Sequence, residues 1–136
     1  MALPLLLGAC NRNKERPVVE LAPARISTIG VNSWLWRASL ETIAFMPIAQ
    51  VDSAGGVIVT DWYSTPQATN ERVKLTIAIL DQELRADAIR VSAVRQVQSA
   101  GGWVAAPVRA GTVQKLEELI LTRARDLRRG TLPPED

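Results

Sequence analysis

Apolar residues along this chain recur first at helical spacing, then at every second position, then at helical spacing again. Val31, Trp34, Leu35, Ala38, Leu40, Ile43, Phe45 and Met46 form a broad apolar face. Asn32 or Ser33 can cap the first turn, and Pro47 ends the run. A mostly buried helix is therefore predicted over 33–46. Residues 57–64 (Val-Ile-Val-Thr-Asp-Trp-Tyr-Ser) are rich in β-branched and aromatic side chains and stop before Pro66, as a strand does. Over 71–81, Val73, Leu75, Ile77 and Ile79 alternate with Arg72, Lys74, Thr76 and Ala78, which describes a strand with one dry and one wet face. Ile89, Val91, Ala93 and Val97 alternate with Arg90, Ser92, Gln96 and Gln98 in the same way. The polar stretch 81–87 between these two strands predicts a hairpin turn.

Helical spacing returns over 112–129 through Val113, Leu116, Leu119, Ile120, Ala124 and Leu127. Glu117 and Glu118 lie early, whereas Arg123, Arg125, Arg128 and Arg129 lie late, an order that complements the helix dipole. Gly130 is predicted to close this helix in a left-handed cap. Helix, strands and helix together imply an α+β fold: a two-layer sandwich with an antiparallel sheet of four or five strands and both helices on one face. The opposite sheet face is expected to be exposed.

One heptad occurs twice. Gln50-Val51-Asp52-Ser53-Ala54-Gly55-Gly56 returns as Gln96-Val97-Gln98-Ser99-Ala100-Gly101-Gly102, with a single difference. Paired glycines supply the positive φ of a tight turn, so two similar hairpin turns are the first reading. A duplicated half-domain and a glycine-rich ligand loop remain open. Neither copy precedes a helix or carries the lysine of a phosphate-binding loop, which argues against phosphate.

Residues 1–10 run apolar into Leu7-Gly8-Ala9-Cys10 and turn abruptly polar at Asn11-Arg12-Asn13-Lys14. The pattern resembles a bacterial lipobox, in which small residues admit a protease just before an acylated cysteine. The expected organisation is a cleaved signal-peptide remnant at 1–9, lipidated Cys10 with a flexible tether at 10–25, one domain at 26–130 and a disordered tail at 131–136. The hydrophobic stretch is short, and no basic residue precedes it, unlike a full signal peptide. A start codon assigned too late, or a truncated chain, is the expected explanation; an apolar terminus with an incidental cysteine is the competing reading. Asn11 lacks the aspartate that retains lipoproteins at the inner membrane of enteric bacteria, so the expectation is an outer-membrane anchor facing the periplasm.

Composition then removes options. A chain of 136 residues holds one domain, and a net charge of +2 gives little attraction for nucleic acid. There is no histidine and one cysteine, so histidine-based catalysis, a disulfide within the chain and a cysteine-rich metal site are excluded. No catalytic residue, metal or cofactor is expected, because the scattered carboxylates read as solvated loop charges.

Tryptophans offer the clearest recognition chemistry. Trp34 and Trp36 lie on roughly opposite sides of a helix, so one belongs to the core. Trp62 and Tyr63, adjacent on a strand, point to opposite faces. Trp62 and Trp103 are the preferred exposed candidates, with Arg123, Arg125, Arg128 and Arg129 as a second candidate surface for anionic lipid or a partner.

The lipobox, residues 30–38 (Gly-Val-Asn-Ser-Trp-Leu-Trp-Arg-Ala), the strand at 56–63 and residues 70–81 together resemble a family of short proteobacterial lipoproteins catalogued as a domain of unknown function. That resemblance implies an envelope location and supplies no catalytic residues. In architecture alone, the lipidated cysteine, tether and helix-sheet-helix domain are similar to BamC, an accessory lipoprotein of the β-barrel assembly machinery. The function expected is therefore a non-enzymatic accessory or scaffold subunit in outer-membrane assembly or maintenance, bound to an envelope protein. The alternative is a module that binds lipid, peptidoglycan or glycan, with Trp62 or Trp103 as a stacking platform.

Overall fold

The computed structural model describes residues 30–131; Cys10, the tether and residues 132–136 lie outside the described residues. Its elements are α1 (Ser33–Thr42), β1 (Ile48–Asp52), β2 (Val57–Thr60), β3 (Glu71–Ile79), β4 (Ile89–Ser99), β5 (Gly102–Ala106) and α2 (Thr112–Thr131). The five strands form one antiparallel sheet in the order β1-β2-β3-β4-β5. The fold is α+β, with an N-terminal and a C-terminal helix.

Asn32 starts α1 and joins it to the sheet. Its Oδ1 accepts the Leu35 N–H at 2.9 Å, and its side-chain amide donates to the Gln82 carbonyl at 3.0 Å. The Asn32 backbone N–H donates to the Asp81 carbonyl at 2.9 Å. Thus the cap sits on the β3–β4 connection. The helix ends at Thr42, earlier than the apolar run suggests. Beyond it Ile43 and Met46 drop into the core, while Phe45 stays 59% exposed and meets the Tyr63 ring edge-on at 5.2 Å. Apolar residues at 43–46 therefore serve a turn into β1 rather than another helical turn.

β1 is the strand that periodicity does not show, because all five of its residues are exposed and no apolar alternation marks it. It exists through its ladder to β2, with an irregularity between Ile48 and Gln50. β2 stops at Thr60, short of the expected Ser64, but the fully buried Thr60 Oγ1 accepts the Leu75 N–H at 2.8 Å and so continues the ladder. Pairing then resumes at Tyr63 and Val73 through two backbone bonds of 2.9 Å. The polar 81–87 connection runs into a short 3-10 turn at Ala86–Ala88.

Both copies of the heptad close hairpins, β1–β2 and β4–β5. In each, the second glycine takes positive φ: Gly56 at 71° and Gly102 at 118°.

The core lies between one sheet face and the two helices. Ile58, Leu75, Ile77, Ile79, Ile89 and Val91 meet Leu35, Trp36, Ala38, Ile120, Leu121 and Ala124. Of the helical pair, Trp36 is the core member, and Trp34 packs half-buried against it. β5 pairs only with the second half of β4, from Arg95 on, leaving the first half without a strand neighbour on that side. Glu117 of α2 fills part of this gap: its carboxylate accepts the Val91 N–H at 2.9 Å. This gives the early glutamate a tertiary role besides its dipole complementarity.

The expected cap at Gly130 is not formed. α2 runs through Gly130 to Thr131, and the described positive-φ glycines are Gly56, Gly102 and Gly111. A glycine inside a helix costs about 1 kcal/mol. A helix anchored by buried Ile120, Leu121 and Ala124 can absorb that and propagate. Thr131, assigned from sequence to the tail, is accordingly the last helical residue.

Candidate functional site

Strand alternation assigns the sheet's second face. Facing away from the helices are Gln50 and Asp52 of β1, Val57 and Val59 of β2, Arg72, Lys74, Thr76 and Ala78 of β3, Arg90, Ser92, Val94, Gln96 and Gln98 of β4, and Trp103 and Ala105 of β5. None of these side chains is buried, and among the described residues no helix covers them. Val94, near the centre, is 52% exposed. The three central strands contribute no carboxylate to this face.

Trp62 and Trp103 meet there around one cation. The Arg72 guanidinium carbon lies 4.3 Å from the Trp62 ring centroid and 4.4 Å from that of Trp103. The Lys74 ammonium lies 6.0 Å from Trp62. Gln96, directly across from Arg72 in the ladder, accepts from Arg72 Nε at 2.8 Å and Nη2 at 2.6 Å. Both indoles thus lie within cation–π distance of the guanidinium, whose edge is fixed by an amide. Cation–π contacts of this kind contribute about 0.5–2 kcal/mol each. The cluster ties the segment after β2 to β3, β4 and β5 across the outer face of the sheet.

Most arginines on the helix side pair with carboxylates, although Lys115 and Arg125 of α2 are in no salt bridge among the described residues. Arg37, Arg85, Arg95, Arg109, Arg123 and Arg129 each bridge a carboxylate of the chain. Among the described residues, no carboxylate bridges Arg72, Lys74 or Arg90. The face with the indoles thus holds three cations that no carboxylate bridges among the described residues.

Arg125, Arg128 and Arg129 are neighbours at helical spacing near the end of α2, and Arg123 stands apart from them. Arg123 reaches back to Glu41 at 2.7 Å, a carboxylate shared with Arg37. These contacts, led by the hydrogen bond from Arg123, hold Glu41 below the usual glutamate range. Arg129 bridges Asp126 within the helix. By helical geometry Arg125 and Arg129 sit opposite the buried stripe of Ile120, Ala124 and Leu127, with Arg123 on the flank nearest α1.

A cavity of about 250 Å³ opens on the helix side, lined by Tyr63, Val73, Glu71, Arg95, Val108 and Arg109 among others. Its charges satisfy one another. Glu71 accepts from Arg95 at 2.7 and 2.9 Å and from Arg109 at 3.1 Å. The Arg95 hydrogen bond is the main cause that lowers the Glu71 pKa. The two arginines thus hold the Glu71 carboxylate in its ionised form.

From sequence, Trp62 and Trp103 are visible as recognition residues, and Arg72, Lys74 and Arg90 as wet-face positions. Their assembly is not. Arg72 meets residues ten positions before it and thirty-one after it. That meeting requires the register that sets Arg72 opposite Gln96 and Gln98 opposite Trp103.

Residues 29–129 match the model of a family described as a domain of unknown function, DUF3576. The chain is also similar to the uncharacterized protein RP420 of Rickettsia prowazekii (strain Madrid E), with 43% identity over 97 residues. That match covers 71% of this chain and 58% of the relative, so it spans less than two thirds of the relative's length.

Proposed function

The chain belongs to the DUF3576 family, and from that premise we propose that it is a lipid-anchored, non-enzymatic docking subunit of the bacterial envelope, whose open sheet face holds a protein partner. The observation that carries the reading is the helix-free face on which Trp62 and Trp103 enclose Arg72 beside Lys74 and Arg90. Tryptophan and arginine are the residues most enriched at energetic centres of protein interfaces. Arg72 and Trp103 sit on strands, and Trp62 lies just beyond β2 next to the Tyr63–Val73 bridge, so little order has to be gained on binding. Anchoring rests on Cys10 as the acylated residue. Among the described residues, no helix is long and apolar enough to cross a membrane. In this reading the subunit serves outer-membrane assembly or maintenance, facing the periplasm.

A glycan- or lipid-stacking role for Trp62 and Trp103 has less support from the geometry. Each indole already has one face occupied by the Arg72 guanidinium, which removes half of the stacking surface a sugar ring uses.

The test is site-specific photocrosslinking in cells with the full-length protein. A photoreactive side chain at Val94 should give a discrete protein adduct, whereas one at Arg125 should not. Adducts of equal yield from both positions, or lipid adducts alone from Val94, would overturn the docking reading. Labelling with an alkyne-bearing fatty acid tests the anchor: signal should be present in the natural chain and absent in Cys10→Ser. Equal labelling of both, or of neither, removes it.

A further inference from the structure

We infer that the open sheet face recognises an acidic, extended segment of a partner protein, with Arg72, Lys74 and Arg90 binding its carboxylates; this rests on the docking role proposed above. The argument begins with charge. Arg37, Arg85, Arg95, Arg109, Arg123 and Arg129 all bridge carboxylates of this chain. Arg72, Lys74 and Arg90 bridge none among the described residues, and they project from the face where β2, β3 and β4 offer no carboxylate. Edge strand β1 adds one carboxylate to this face, Asp52 opposite Val57, which leaves the three cations in excess. A face of net positive charge is complementary to a partner of the opposite sign.

The geometry narrows the anion. The Arg72 guanidinium donates only within its own plane, and the centroids of two indoles lie 4.3 and 4.4 Å from its central carbon. Gln96 Oε1 occupies the Nε and Nη2 protons, and Nη1 makes no hydrogen bond among the described residues. A planar carboxylate suits such a directed, in-plane donor, because arginine binds carboxylates as a fork. The flanking rings shield the contact from water and so strengthen it.

Spacing supplies the extended form. Arg72 and Lys74 are alternate residues on one side of β3, so their Cα atoms lie about 7 Å apart. An extended segment running along the strand has the same repeat, so alternate acidic residues come into step with both cations. Arg90 stands opposite Ala78, farther along the same face, and extends the track toward the other end of β3. Thr76 and Ser92 are paired between them and offer hydroxyls to the bound backbone. The tether does not fit this description, since residues 11–29 carry four basic and two acidic side chains.

The test uses the full chain in detergent micelles and two short fluorescein-labelled peptides, one alternating Glu with Thr and the other alternating Gln with Thr. Fluorescence anisotropy should show binding of the Glu peptide, weakened by added salt, and at least about tenfold weaker binding of the Gln peptide. The double variant Lys74→Gln/Arg90→Gln should weaken Glu-peptide binding about tenfold or more while leaving the circular dichroism spectrum unchanged. Arg72→Lys should weaken it as well, because an ammonium cannot replace the fork. Arg125→Gln, on the outer side of α2, should have no effect.

Equal binding of both peptides overturns the inference, as does a Glu-peptide affinity that ignores the Lys74 and Arg90 substitutions. Phosphatidylcholine vesicles containing phosphatidylglycerol form a third arm. Vesicle binding lost in the double variant, with no Glu-peptide binding, would reassign the face to anionic lipid. If Val94 crosslinks to a protein but the Glu peptide does not bind, the docking role stands and only the partner chemistry is refuted.

Discussion

Replacing Asn32 with alanine tests how far one polar side chain joins the first helix to the sheet. Asn32 Oδ1 accepts the Leu35 N–H at 2.9 Å, and its amide donates to the Gln82 carbonyl at 3.0 Å. Losing an asparagine N-cap costs about 1 kcal/mol, within a range of about 0.5–2. The bond to Gln82 is part-buried, and water can reach that exposed residue, so its loss adds about 0.5–1 kcal/mol. The backbone bond from Asn32 to Asp81 is untouched by the substitution. Asn32→Ala should therefore destabilise the domain by about 2 kcal/mol, and Asn32→Ser, which keeps a capping oxygen, by roughly half of that. For a domain of about 100 residues, 2 kcal/mol lowers Tm by about 8–16 °C. Urea unfolding followed by circular dichroism measures both variants, and an unchanged slope with denaturant shows that the unfolded state is not the cause. If Asn32→Ala shifts stability by less than about 0.5 kcal/mol, or Asn32→Ser is no better than alanine, the cap does not join helix to sheet as described.

Three further outcomes are expected. Glu117→Ala leaves the Val91 N–H without its acceptor and should cost about 1–3 kcal/mol, whereas Glu117→Gln retains an oxygen there and should lose less than half as much in the same urea assay. Gly56→Ala places a methyl 2.6 Å from a Val31 side-chain carbon and 2.7 Å from the Ile79 carbonyl oxygen, at a φ of 71°. Gly102→Ala meets nothing within 4 Å at a φ of 118°. Both incur backbone strain of about 1–2 kcal/mol, but only Gly56→Ala must also displace its neighbours, so it should cost at least about twice as much; equal losses would contradict the packing of the first turn. Acid should also weaken the fold. Glu71, Glu41 and Asp81 are held below their ordinary values, chiefly by hydrogen bonds from Arg95, from Arg123 and from the Glu83 N–H respectively. Because the folded values lie below the unfolded ones, this stabilisation is complete above about 4.5 for the glutamates and about 3.8 for the aspartate, and it is lost as pH falls through the depressed values. A Tm series in falling pH should decline, and Glu71→Gln should flatten the decline.

The sequence by itself determined the elements that bury one face. Alternation at 71–79 and 89–97, and helical spacing at 113–127, are one-dimensional records of a dry side and a wet side, so the class, the central strands and the long helix could be read directly. It also marked Trp62 and Trp103 as unusual, and it placed Arg72, Lys74 and Arg90 on a wet face.

What only the tertiary structure decided has no local period. β1 is fully exposed, so pairing with β2 rather than hydrophobic patterning makes it a strand. The two heptads read almost alike, yet Gly56 is packed beneath Val31 and Ile79 while Gly102 faces open space, because their surroundings come from distant parts of the chain. Gly130 reads as a helix stop, but burial of the preceding apolar stripe favours continuing α2. The joining of Trp62, Arg72 and Trp103 depends on a register fixed over three strands. Local spacing records which side of an element is dry; it does not record which distant side chain stands beside it.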